Sequence, residues 1–233
     1  MLNQAYNPAI DQNWLPPSAR RCLDFPDQER FVQKRLDFLD DVPVMSATVL
    51  GLDMLLQESY IDLRMASELI LSDVGATIQI LRLICREYDI AAECPRRMEE
   101  CIASLDVDAW FGAISARTFV CDREHSATTA VWKHSRLIAQ YAQLVAESLE
   151  SISPDDAYLV GLLHEIGSIP TVLGWQNDGP CATASDPLLA LESSLPRFVL
   201  SAVHSAKDSC PSSTWRFILV AAHELAGEQH KAY

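Results

Sequence analysis

The stretch Ser153-Pro154-Asp155-Asp156-Ala157-Tyr158-Leu159-Val160-Gly161-Leu162-Leu163-His164-Glu165-Ile166-Gly167 decides how the chain is read. Its spacing predicts a short, almost wholly buried helix over 153–166. Ser153 is a favourable N-cap, and Pro154 at the first helical position gives up an N–H that has no intrahelical partner there. Asp155 and Asp156 place negative charge at the positive end of the helix dipole, and Ser153 with Asp156 fits a loose capping box. Gly167 suits the position after the last turn, with Pro170 just beyond it. Nearly every residue between these signals is apolar, so the helix belongs in an interior. It ends nevertheless in His164 and Glu165, two side chains that need partners when buried.

Working outward, the same helical spacing recurs along the chain. The segment 126–150 predicts the longest helix, with Val131, Ile138, Tyr141, Val145 and Leu149 on its apolar face and His134 among them. Upstream, helices are expected at 28–39, 46–57, 62–71 and 73–87. Val49, Leu52 and Leu56 face inward on the second of these, Met65, Leu69 and Ile70 on the third, and Ile78, Leu81 and Cys85 on the fourth. Ser72 or Asp73 caps the last. Two or three more helices fill 96–120, and two close the chain at about 188–206 and 212–228. The short gaps imply antiparallel helix neighbours. Residues 168–187, rich in Gly, Pro, Ser and Asp, read as a loop. Residues 1–27, broken by Pro8, Pro16, Pro17 and Pro26, read as an irregular N-terminal arm that Trp14-Leu15 anchors. Strand-length Val/Ile alternation is scarce, so the expected fold is all-α.

With 233 residues, 49% of them hydrophobic, the chain can bury a substantial core. Its formal net charge of -14 repels nucleic acid and anionic membrane, so neither is an expected partner. Seven cysteines without a CxxC pair suggest reduced thiols. No apolar run approaches the roughly 20 residues of a membrane helix, and Met1-Leu2-Asn3-Gln4 has no leader character. The expected compartment is the cytoplasm.

The chemistry to explain lies in the histidines. His134 lies on an apolar helix face, His164 and Glu165 end a buried helix, and His204 and His223 lie near or on the late helices. Imidazole and carboxylate both ligate divalent metals, and a metal-bound water is a nucleophile suited to phosphoester hydrolysis. A second reading stands beside this one: His164 donates to a backbone carbonyl and Glu165 pairs with a nearby cation. Spacing alone leaves both open. Cys121 and His125 lie four apart but have no second pair at zinc-finger spacing. Arg96-Arg97 and Arg82/Arg86 are local basic spots, and solvated surface is the simpler account of them.

The words carrying His134 and His164-Glu165 resemble the HD superfamily of metal-dependent phosphohydrolases, and more closely its signalling branch, the HDOD domain. Ala157 through Gly167 resembles that family's AFLAGLLHDIG, and Trp132-Lys133-His134-Ser135 its WxHS. Asp41-Val42-Pro43-Val44-Met45, Glu68 through Asp73 with Ile80 through Leu83, and Ala221 through Ala226 resemble further family words, so the likeness spans about 36–230. It implies a multi-helical bundle: an N-terminal helical lobe at 28–120 and an HD-like lobe at 121–233. It also implies a non-catalytic bacterial signal-transduction module acting through contacts with a regulatory protein partner, with self-association of the chain a further expectation. The alternative it carries is a divergent metal-dependent phosphohydrolase acting on a nucleotide or other phosphoester, with Asp155 or Asp156 near the site.

The implied metal ligands are His134, His164, Glu165 and His223. Two of them depart from the family. The HD dipeptide is His164-Glu165 here, and the last Asp of catalytic members aligns with His223. Such a set carries one negative charge. It suits no cofactor, or a single Zn, Fe or Mn ion as a vestige of the ancestral site, better than a pair of hard cations.

Overall fold

Asp73 shows how this sequence closes its fold. In the computed structural model its buried carboxylate caps a helix, accepting from the backbone N–H groups of Gly75 at 2.9 Å and Ala76 at 3.3 Å. The same group accepts from Met45 N–H at 2.8 Å and from the Trp132 indole at 3.0 Å, residues far away in sequence. One acidic side chain thus joins three segments.

The structure describes residues 42–88, 97–119, 126–173, 195–196, 199–203 and 213–231. The chain divides into two compact units, Met1–Lys34 and Arg35–Tyr233, and all described residues lie in the second. The expected N-terminal arm, the helix at 28–39 and the lobe boundary at 120–121 lie outside the described residues.

The all-α expectation holds. Helices α1 (Ser46–Leu56), α2 (Leu63–Leu71), α3 (Val74–Glu87), α4 (Met98–Ala103) and α5 (Val107–Ser115) precede α6 (Ser126–Glu147), α7 (Pro154–Leu163), α8 (Ile169–Val172) and α9 (Thr214–Lys231). Residues 199–203 are also helical. The only pairing of strands among the described residues is minimal. Strand β1 (Val44–Met45) runs parallel to β2 (Thr118–Phe119), with Val44 opposite Thr118 and Met45 opposite Phe119.

Aspartate caps fix three of the helix starts. Asp62, Asp73 and Asp106 each accept two backbone N–H bonds at the start of α2, α3 and α5. Ser153 is the N-cap of α7 as expected, with Pro154 at its first position, but its hydroxyl makes no capping bond. α7 stops at Leu163, shorter than expected, and the chain turns through a 3-10 segment, Ile166–Ser168. Gly167 lies in that turn rather than just after the helix. The expected loop from 168 onward begins as α8. Ile70 is buried as expected, but Met65, also expected inside, is 49% exposed, and α2 buries Ala66 and Ser67. The burial stripe is rotated about one residue from the one read on apolar character, because small side chains let the helix approach its neighbours.

Two apolar clusters support the site. The larger joins α1–α5 to one face of α6 and α7 through Leu52, Ile70, Ile78, Ile84, Trp110 and Leu162. The smaller is a seam of α6, α7 and α9 built from Ile138, Ala142, Ala146, Ala157, Ile218 and Ala222. Alanines dominate that seam, so backbones come close. At Gly161 on α7 an added Cβ would lie 2.7 Å from the Ala139 Cα of α6. Only a residue with no side chain fits there, and the approach fixes the depth at which α7 lies on α6. No helix among the described residues is long and apolar enough to cross a membrane.

Candidate metal centre

Three of the four implied ligands come together. His134 projects from α6, His164 follows the last residue of α7, and His223 projects from α9. Their ring centroids are 5.4 Å apart for His134 and His164, 5.2 Å for His134 and His223, and 5.0 Å for His164 and His223. One ring nitrogen from each lies within 4.8 Å of the other two. The alanine seam accounts for this. With the helix backbones held close by small residues, imidazoles leaving three different helices can meet.

His164 is the organising member. It is 4% exposed. Its Nδ1 lies 2.6 Å from the Gly161 carbonyl oxygen one turn back, a contact that requires a proton on Nδ1. Nε2 then carries the lone pair, and this buried atom has no hydrogen-bond partner among the described residues. Metal-ligating histidines are oriented in the same manner, with one ring N–H on a carbonyl and the other nitrogen on the ion.

The electrostatics agree. Burial holds the His164 pKa down to about 4, and the neighbouring imidazoles His223 and His134 push it the same way, against the Gly161 hydrogen bond and Glu165. Burial likewise lowers the pKa of His223, helped by His134 and opposed by Glu165. Near neutral pH His164 is an uncharged donor, ready to ligate.

Glu165 stands beside this group, outside the mutually close set. Its Oε1 is 3.7 Å from His164 Nε2, too long for a hydrogen bond, and a neutral His164 makes no ion pair with it. Asp155 lies at the opposite end of α7 and pairs with Arg97 at 3.6 Å. His204, Cys121 and His125 lie outside the described residues.

Three imidazoles with one carboxylate at the edge fit a single transition-metal ion, since borderline ions accept nitrogen ligands in sets of three with an open position. They do not fit two bridged cations. Metals about 3.5–4 Å apart need anionic oxygen ligands to offset their charge, and the three close donors are imidazole nitrogens.

A family model of the HDOD domain matches residues 109–183, a segment that contains His134, His164 and Glu165 and leaves His223 outside it. The HDOD likeness read from the sequence holds over that segment. The fold is similar to crystal structures of the MmoQ response regulator from Methylococcus capsulatus str. Bath. One aligns at 20% identity and a TM-score of 0.63 over 83% of this chain and 87% of that one. A second aligns at 18% identity and a TM-score of 0.62 over 78% and 85%. No curated protein matches the chain.

Proposed function

We propose that the chain is a regulatory HDOD module that works through contacts with a protein partner. In this reading its histidine cluster is a structural remnant of a hydrolase pocket that holds at most one divalent transition metal. The observation that carries the reading is the donor set: three imidazoles meet where a two-metal phosphohydrolase would need carboxylates. The similar MmoQ structures are those of a response regulator, which is consistent with a signalling role. Exposed apolar side chains on α1, Leu50 and Met54 one turn apart, offer a surface of the kind protein contacts use.

If a metal is held, His134, His164 and His223 hold it, and the ion would supply Lewis acidity. The chain's own contribution is orientation: Gly161 O fixes the tautomer of His164, and α7 keeps that ring out of water. Two measurements test the reading. Elemental analysis of purified protein should give no more than one equivalent of Zn, Fe or Mn, lost in His164→Ala. Turnover of bis(p-nitrophenyl) phosphate with added Mn²⁺ or Fe²⁺ should not exceed the buffer rate. Hydrolysis that His164→Ala abolishes would favour the phosphohydrolase instead.

A further inference from the structure

The histidine cluster does not exhaust the polar chemistry of α6 and α7. Arg136 follows His134 by two residues, so it projects about 200° further round α6. It lines an open cleft of about 450 Å³ bordered by residues of α2, α3, α4, α6 and α7. That volume suits a small metabolite.

Three arginines line it from three elements: Arg64 of α2, Arg97 at the N-cap of α4, and Arg136 of α6. Arg64 pairs with Glu68 at 3.2 Å and Arg97 with Asp155 at 3.6 Å, and both pairs are solvent-exposed. Pairs of this kind are weak and exchange readily for a better anion. Arg136 lies beside the Tyr158 phenol and makes no ion pair among the described residues. Guanidinium forks match phosphate oxygens two at a time.

The rest of the lining limits the ligand. Glu68, Glu99 and Asp155 balance the three arginines, so a polyanion such as a triphosphate is disfavoured while a single phosphoryl group is accommodated. Leu71, Leu81 and Leu159 provide an apolar wall for a flat ring. Gln140 and Gln143, one turn apart on α6 and on the same stripe as Arg136, offer amide donors and acceptors for a ring edge. We propose that this cavity binds a nucleoside monophosphate, with its phosphate on the arginines and its base between the leucines and the glutamines.

Isothermal titration of the full chain with 5′-AMP, 5′-GMP, adenosine and inorganic phosphate tests this. At least one nucleotide should bind with a micromolar Kd, tighter than adenosine or phosphate. Arg136→Ala should weaken it tenfold or more and Arg136→Lys by less, since the lysine keeps the charge and loses the fork. Glu99→Gln should tighten binding, and Lys133→Ala, on α6 outside the cavity, should leave it unchanged. The proposal is overturned if neither nucleotide binds at millimolar concentration, if Arg136→Ala leaves the affinity intact, or if phosphate alone binds as tightly.

Discussion

His164 lies in an environment that opposes its charge. Its folded pKa, near 4, lies below the value of about 6.5 it has when exposed, so between those pH values the unfolded chain binds more protons. Stability therefore rises with pH across this window and is lost as pH falls from about 6.5 towards 4. The single group contributes on the order of 3 kcal/mol at most. The pKa of Asp73 is raised, chiefly by burial, which gives a slope of the opposite sign above its ordinary 3.8. A comparison of variants separates the two. Urea unfolding at pH 7 and pH 4.5 should show a smaller pH-dependent loss in His164→Gln than in the parent chain. An equal loss in both would mean that His164 is not the group responsible.

At the scale of the element, two contacts set how helices sit. Gly161→Ala gains helix propensity of about 1 kcal/mol, but its methyl would meet the backbone of α6, and overpacking of this kind costs about 1–3 kcal/mol. The variant should be less stable by chemical denaturation, and any metal that the histidines hold should be bound less tightly, because Gly161 O also orients His164. Asp73→Asn distinguishes the two oxygens of the cap. An amide can keep its oxygen on Gly75, Ala76 and Trp132, but its NH₂ then faces the Met45 N–H, which had Oδ2 as its acceptor. Leaving that donor unmet should cost about 1–3 kcal/mol, seen as a lower urea midpoint, and Asp73→Ala should cost more because every bond is lost. The sequence marked Asp73 as a cap and Trp132 as part of a motif word. Their hydrogen bond, 59 residues apart in sequence, had no local signature.

Over the whole molecule, α6 and α7 are shared walls, with the histidine cluster on one side and the arginine cavity on the other. The stripe Arg136, Gln140, Gln143 was visible in the sequence as polar residues at helical spacing on a largely apolar helix, but polar residues at that spacing ordinarily mark a solvated face. Only the positions of α2 and α4 turn it into a cavity wall. The net charge of -14 acts at this scale too. The chain should not shift duplex DNA in a gel at about 0.15 M salt, where counterion release offers an acidic surface no gain. A clear shift there would contradict the charge argument.

Helix content, the positions of α1–α3, α6 and α7, and the identity of His134, His164 and His223 as the residues to watch were all present in the sequence. The helices and His164 rest on local rules: apolar periodicity, capping by Asp62 and by Ser72 or Asp73, and a buried helix that ends in a polar pair; His223 was singled out by the resemblance to the HD family. Tertiary structure decided that α2 turns Met65 outward, that Glu165 stands beside the imidazoles rather than among them, and that His223 reaches the other two at all. The placing of the imidazoles depends on how closely backbones approach across Gly161, Ala139 and Ala142, and the turn of Met65 on how α2 packs, both set between segments remote in sequence.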